Sequence, residues 1–311
     1  MASEELVAVT GAFSYTGKYI ARRLLVEGKH VLNLTRNPSW ENELGDRLKS
    51  VLFNFDNPDA LTASLGNVTT LYNTYWIRFN YGSWTFDQAV QNTHRMIQSA
   101  KKAGVQRIVH ISVTNPTINS PLPYFRGKAA LEKIVQECGL SYAIIRPTLI
   151  FGKEDILINN IVYLLRRFPI FAIPGKGDYR LQPISAEETA QLCIRAGETQ
   201  ENLILDAAGP EILTFREMVT RIRDQLGSRA WLRNVPASFA LMFSRLIGGV
   251  VGDIILTGDE LRGLMSELLV SKDPPYGQIR LEDWLKDNIH SLGMNYVSEL
   301  KRNYLPFRTD N

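Results

Sequence analysis

The sequence predicts an α/β fold, a doubly wound parallel sheet followed by a smaller, mainly helical C-terminal lobe. Three observations carry that prediction. Short apolar runs rich in β-branched residues alternate with segments of helical spacing through the first half of the chain. The opening run, LVAVTGAFSYTGKYIARRLL (6–25), passes from strand to helix through a tight turn holding Gly11 and Gly17. After residue 153 the alternation stops and helical patterns dominate.

Taken in order, Leu6–Thr10 reads as a strand covered on both faces, and Ile20, Leu24 and Leu25 give the next segment a helical stripe. HVLNLTR (30–36), SVLFNFD (50–56) and TTLYNTYW (69–76) read as the next strands. The helix DQAVQNTHRMIQSAKKAG (87–104) ends in lysines and a glycine, the expected chemistry of a helix C-terminus. QRIVHISV (106–113), the helix FRGKAALEKIVQECG (125–139) and the strand SYAIIRPTLIFG (141–152) continue the alternation, whose short links imply right-handed crossovers.

Beyond this point come a helix, ILINNIVYLLRRF, and a loop, IPGKGDYRLQP. ISAEETAQLCIRAGE (184–198) opens with Ser185 and Glu188 in capping-box spacing, and NLILDAAG (202–209) is one more strand. The expected division assigns 1–155 and 184–208 to the sheet domain, and 156–183 with 209–311 to a second lobe over the carboxyl ends of the strands. Trp284, Leu285, Ile289 and Leu292 form an apolar face that predicts a packed tail.

The chain has 311 residues, 45% hydrophobic and 22% charged, which allows a large core without disulfides. A net charge of +3, with lysine and arginine scattered among carboxylates, argues against a nucleic-acid surface. Cys138 and Cys193 suggest neither a disulfide framework nor a metal site, and a reducing, cytoplasmic setting is expected. MASEEL does not read as a signal peptide. ASFALMFSRLIGGVVGDIIL (237–256) has the length of a membrane span, but Arg245, Asp253 and three glycines interrupt it. A core helix pair is expected there, ahead of a helix lying on a partner or a membrane surface.

TGAFSYTG (10–17), NTYW (73–76), Asn92, VHISVTN (109–115), PYFRGKAALE (123–132), IIRPTLIFG (144–152) and QPISAEETA (182–190) together resemble the short-chain dehydrogenase/reductase superfamily. The likeness is to its atypical, extended branch, which includes the NmrA-like proteins and the 39 kDa subunit of respiratory complex I. It spans about residues 6–227, with a closer likeness to prokaryotic relatives of the complex I subunit.

A strand, a glycine turn and a helix N-terminus form a pyrophosphate site, where free N–H groups and the helix dipole favour an anion. Gly11 permits the turn and Gly17 lets the helix approach the strand. Ser14 stands where a full fingerprint has its middle glycine, so its hydroxyl either meets the phosphate or holds it farther off. Tyr15 and Thr16 complete the turn. Arg36, after the second strand, occupies the position where a carboxylate selects NAD and an arginine suits the 2′-phosphate of NADP(H), so NADP(H) is favoured. The resemblance implies that Asp56 faces the adenine, that Asn73 and Thr74 line the cofactor's path, and that Pro147 fixes the turn meeting the nicotinamide amide.

The superfamily's reductases use Tyr-x-x-x-Lys with a serine on the preceding strand. Here these are Tyr124, Lys128 and Ser112; four-residue spacing puts tyrosine and lysine on one helix face, where the lysine holds the ribose and eases loss of the phenolic proton. Ser112 and Tyr124 are separated by a short loop stiffened by Pro121 and Pro123. Arg146 reads equally as an ion-pair partner. Arg180 and Gln182 resemble a strand facing the substrate, with Ile156, Ile158, Asn159, Tyr163 and Trp76 closing an apolar pocket.

Two readings follow. One is an NADP(H)-dependent oxidoreductase acting on a small apolar carbonyl or quinone-like compound. The other is a non-catalytic NADP(H)-binding protein, a redox sensor or a structural partner of a respiratory or other complex, with 237–256 as a partner or membrane contact. A nucleotide-sugar epimerase or dehydratase ranks third, since Thr114 stands where a carboxylate is wanted.

Overall fold

The computed structural model of the protein describes residues 5–36 and 44–304. The chain opens with β1 (Leu6–Thr10), α1 (Tyr15–Val26), β2 (His30–Thr35), β3 (Leu48–Leu52), α2 (Pro58–Ser64), β4 (Val68–Asn73), α3 (Phe86–Lys102), β5 (Arg107–Ile111), α4 (Pro123–Glu137) and β6 (Ser141–Pro147). It continues through β7 (Leu149–Phe151), α5 (Ile156–Arg167), β8 (Ile170–Pro174), β9 (Arg180–Leu181), β10 (Pro183–Ser185), α6 (Ala186–Gly197) and β11 (Leu203–Ala207). The remainder is β12 (Leu213–Thr214), α7 (Phe215–Leu226), β13 (Trp231–Val235), α8 (Ala237–Val251), α9 (Gly258–Met265), α10 (Leu281–Asn288) and a π-helical turn at Leu300–Tyr304.

The chain divides into two units, one of residues up to Pro147 with Ala186–Leu205, the other of Thr148–Ser185 with Asp206 onward. The first unit is built on a seven-stranded sheet ordered β11-β6-β5-β4-β1-β2-β3. Its strands from β3 to β6 pair in parallel, as Ala8 opposite Leu32 and Leu71 opposite Ile108 illustrate. The order reverses beside β1, which makes the carboxyl ends of β1 and β4 the topological switch point where ligands bind in such sheets. This is a Rossmann-type fold with a helical C-terminal region.

Local chemistry accounts for the helices around the sheet. In α1, Gly17, Ile20, Ala21, Leu24 and Leu25 are buried at helical spacing. α3 is started by Thr85, whose Oγ1 accepts the Gln88 amide at 3.1 Å, and is finished by Lys101 and Lys102. α4 begins at Pro123, whose missing N–H is unneeded in a first turn. Leu32, Leu71, Met96, Ile97 and Ile108 are among the residues filling the core of this unit.

Three differences from the sequence reading have simple causes. The strand expected at 50–56 runs Leu48–Leu52 instead, and Phe53 and Phe55 turn inward onto Tyr75 with ring centres 5.7 and 5.0 Å away. The strand expected at 141–152 divides at Pro147–Thr148, because β7 pairs with β10 in the other unit. That pairing carries residues 148–155 out of the sheet unit. Besides β7/β10, the second unit holds the short two-stranded ribbons β9/β12 and β8/β13, where helix and loop were expected.

The second unit packs Phe151, Ile158, Val162, Leu181, Met218 and Leu285 into its own core. Leu285, Ile289 and Leu292 are buried there and Trp284 packs against them, so the tail docks as its apolar face predicts. The plain core reading of 237–256 does not hold. The side chains of Phe239, Met242, Phe243, Leu246 and Val250 on α8 are exposed.

Candidate functional site

The turn after β1 is shaped by two glycines that admit no side chain. Gly11 has φ +65°, the left-handed region, and its N–H donates to the Leu34 carbonyl at 2.9 Å. A β-carbon on Gly17 would lie 2.2 Å from the Gly11 carbonyl oxygen, so α1 is packed directly on the turn. The Ser14 hydroxyl donates to that same carbonyl at 2.6 Å. Ser14 therefore tightens the turn, and it gives α1 no side-chain cap. Tyr15 and Thr16 begin the helix, half-buried. An uncapped helix N-terminus behind a glycine turn fits a pyrophosphate, whose oxygens take the place of a capping side chain.

Two buried polar side chains hold this turn in place. Asn33, in the middle of β2, accepts the Ala12 amide at 2.8 Å and donates to the Ser50 hydroxyl at 3.0 Å. Thr10 accepts the amides of Thr74 at 2.7 Å and Tyr75 at 3.0 Å, tying the end of β1 to the chain leaving β4. The Thr74 hydroxyl returns the bond to the Thr10 carbonyl at 2.6 Å. Asn73 is buried in the same network, accepting from Tyr75 N–H and donating to His110 Nδ1 at 2.9 Å. That donation places the imidazole proton on Nε2, and burial beside Lys128 holds His110 well below its ordinary pKa. Asn73 thus acts from inside the sheet, while Thr74 is half-buried.

Farther out, the Arg36 guanidinium lies 4.1 Å from the centre of the Trp84 ring, a stacked cation–π pair. Asn37, which completes the LTRN motif, lies outside the described residues. Asp56 is exposed, beyond the end of β3, with Arg95 3.6 Å away.

The Tyr124–Lys128 pair sits on one face of α4, and both residues meet Trp76. The Tyr124 ring stands edge-on to Trp76 at 6.0 Å and to Phe86 at 6.0 Å. The Trp76 ring covers Gly127, where an added β-carbon would lie 2.7 Å away from it. Lys128 Nζ is 4.9 Å from the Trp76 ring centre and donates to the Ile111 carbonyl at 2.7 Å. Only 3% of Lys128 is exposed, and burial lowers its amine to about 7, with Glu132 pulling the other way. Ser112 follows Ile111, and its buried hydroxyl has no hydrogen-bond partner among the described residues. Tyr124 and Lys128 thus meet at the Trp76 indole, and Lys128 reaches the end of β5 one residue before Ser112. Pro147 is buried beside them, its carbonyl accepting the Thr114 amide at 3.0 Å.

An NAD(P)H-binding family model matches residues 11–159. The chain is 23% identical to the mitochondrial NADH dehydrogenase [ubiquinone] 1 alpha subcomplex subunit 9 of Arabidopsis thaliana, over 86% of this chain and 71% of that protein. It is also 23% identical to the mitochondrial NADH-ubiquinone oxidoreductase 40 kDa subunit of Neurospora crassa, over 81% of this chain and 68% of that one. Among solved structures, a nucleoside-diphosphate-sugar epimerase from Staphylococcus aureus superposes with a TM-score of 0.73 at 14% identity, over 91% of this chain and 99% of that chain. The matched NAD(P)H-binding region and these relatives support an atypical, NmrA-like short-chain dehydrogenase/reductase. Residues 11–159 match an NAD(P)-binding domain, and the sheet is of the Rossmann type.

Several residues expected at a substrate pocket make structural contacts. Ile158 is fully buried in the core of the second unit. Asn159 donates to the carbonyls of Lys153 and Asp155 and accepts the Gly293 amide, so its amide group is fully engaged. Gln182 is buried between Gly209 and Ser271, donating to one and accepting from the other at 2.8 and 2.9 Å. Arg180 pairs with Glu267, and Arg146 forms a two-point pair with Glu132 at 2.6 and 2.9 Å. The Arg167 guanidinium lies over the Tyr163 ring at 3.9 Å, and Tyr296 meets that ring edge-on at 5.6 Å.

Asn33, Thr10, Trp84 and His110 were not singled out by sequence reasoning. Asn33 and His110 did carry a signal, a lone polar residue inside an otherwise apolar parallel strand. Such a group must find a partner when buried, and here the partner is the nucleotide turn or its neighbour.

Proposed function

We propose that this protein binds NADP(H) and holds it without turning it over, as a redox sensor or as the nucleotide-bearing partner of a larger complex. One observation carries the reading. The lysine that would hold the nicotinamide ribose and activate the tyrosine is buried under Trp76 and bonded to the Ile111 carbonyl. At an amine pKa of about 7 it also lacks a full positive charge at neutral pH. Binding needs less: Gly11, Gly17 and the open N-terminus of α1 for the pyrophosphate, with Arg36 supported on Trp84 for the 2′-phosphate. Thr74 and Pro147 would line the cofactor's course, with Asn73 holding Thr74 in place. Asp56 would meet the adenine ribose from the surface. The names of the relatives, subunits of NADH dehydrogenase, support service within a complex. Two buried free cysteines suit a reducing, cytoplasmic setting.

A second reading is favoured by the buried Ser112 hydroxyl, which has no partner among the described residues and follows the Ile111 carbonyl that Lys128 holds. In it the protein is an NADP(H)-dependent reductase of a small apolar carbonyl or quinone-like compound. Bound NADPH would supply the hydride. Ser112 would donate a hydrogen bond to the carbonyl oxygen, Tyr124 would give it a proton, and Lys128 would support the resulting phenolate.

Titration of the purified chain with NADPH, followed by absorbance at the nicotinamide band with a panel of quinones and ketones, separates the two. Binding with no oxidation by any acceptor supports the first reading. Oxidation that Tyr124→Phe abolishes establishes the second. Failure to bind either NADPH or NADH would sink both.

A further inference from the structure

The second unit carries a helix turned inside out. On α8 the small residues Ala240, Ser244 and Gly248 are buried, and a β-carbon on Gly248 would lie 2.5 Å from the Asp253 carbonyl oxygen. The opposite face holds Phe239, Met242, Phe243, Leu246 and Val250, with Leu246 62% and Val250 87% exposed. At 3.6 residues per turn these five fall on a stripe about 100° wide, the width of an apolar face meant to be covered. Arg245 lies at the edge of that stripe, exposed.

The ribbon that leads into α8 is built the same way. Trp231 pairs with Ile170 across β13 and β8, which puts both side chains on one face, and they are 63% and 59% exposed. Arg233 shares that face and stacks on Trp231 at 4.8 Å. α8 follows β13 after Pro236 and packs against β8. Chemistry is uniform across both segments. Residues 225–252 contain Arg229, Arg233 and Arg245 and no aspartate or glutamate, and residues 156–177 contain Arg166, Arg167 and Lys176 and again no carboxylate.

We propose that α8 and the β8/β13 ribbon form a docking surface for an anionic phospholipid bilayer, with α8 lying in the headgroup plane. Apolar side chains on one helix face, an exposed tryptophan and phenylalanines, and arginines in segments that hold no carboxylate of their own match what an anionic lipid interface takes up. No helix among the described residues is long and apolar enough to cross a bilayer, and α8 is about 22 Å long, which suits lying along the interface. A second copy fits poorly, since it would bring the same positive rim against itself. The inference rests on the second unit alone and is independent of whether the nucleotide is turned over.

The test is co-sedimentation of the full chain with vesicles of equimolar phosphatidylcholine and phosphatidylglycerol, beside vesicles of phosphatidylcholine alone. The expected result is partition into the anionic vesicles at least about tenfold above the neutral ones, weakened by added salt. Leu246→Glu and Phe243→Glu change exposed side chains and are expected to lower the partition by about tenfold or more with unaltered melting curves. Absence of pelleting, equal partition into both vesicles, or partition unchanged in both variants would overturn the proposal. A lipid-free dimer that Leu246→Glu dissociates would overturn it too, and would give the surface to a second copy.

Discussion

Lys128 Nζ lies 4.9 Å from the centre of the Trp76 ring and is anchored on the Ile111 carbonyl at 2.7 Å. An amine so enclosed is easier to deprotonate, and burial brings it to about 7 against about 10.4 for a solvated lysine. Between those values the unfolded chain keeps a proton that the folded chain has released. Stability contributed at this site therefore rises with pH from about 7 to about 10. Lys128→Met keeps the packing under Trp76 and removes the titration. The wild type should gain on this variant between pH 6 and pH 9 by on the order of 2 kcal/mol, as read from urea unfolding of both proteins. A difference that stays constant with pH would mean that the amine does not titrate in the fold.

The glycine turn predicts a steric result. In Gly17→Ala the new β-carbon meets the Gly11 carbonyl oxygen, part of a backbone that cannot swing aside as a side chain would. α1 must then move away from β1, at a cost of about 1–3 kcal/mol for overpacking. NADPH affinity should fall by about tenfold or more, because the helix N-terminus leaves its place. Fluorescence titration and urea unfolding check the two parts. An alanine variant that binds as tightly as the wild type would show that the pyrophosphate does not sit at this turn.

Asn33 gives a prediction at the edge between fold and site. Asn33→Leu preserves bulk within β2 but leaves the Ala12 amide and the Ser50 hydroxyl without the partner they have now. An orphaned buried donor costs about 1–3 kcal/mol. Unfolding free energy should drop by that amount, with NADPH affinity falling beside it, since Ala12 is inside the turn. If stability falls and affinity does not, Asn33 serves the sheet alone.

Much of this architecture was legible because a parallel sheet advertises itself through repeated apolar strands and capped helices. The ribbons β8/β13 and β9/β12 were not, since strands of two to five residues with one neighbour each leave no period to read. α8 was legible as a helix but its direction was not. Periodicity shows that Phe239, Phe243 and Leu246 share a face and is silent on which way that face points. Lys128 shows the same limit within the site. Its spacing from Tyr124 fixes a shared helix face, whereas its depth is decided by Trp76, which arrives from β4 and settles on Gly127. Of the residues read as pocket lining, α5 turns Ile158 into the core of the second unit and ties Asn159 to Lys153, Asp155 and Gly293, a direction that helical periodicity does not carry.

Nucleotide choice should be decided at Arg36. Stacked on Trp84 at 4.1 Å, its guanidinium presents N–H groups in the plane of the fork, the geometry that accepts a phosphate. A hydrogen bond to a charged group contributes about 1.5–3 kcal/mol, or roughly tenfold to a hundredfold in affinity. Arg36→Ala should therefore weaken NADPH by about tenfold or more and leave NADH within about twofold. Trp84→Leu keeps the charge and removes only its support, so its effect on NADPH should be smaller and in the same direction. Isothermal titration of both nucleotides against the three proteins gives the comparison directly. The NADPH advantage of the wild type should also shrink as salt rises, because the extra contact is between charges. Equal losses for NADPH and NADH in Arg36→Ala would remove the 2′-phosphate from this residue.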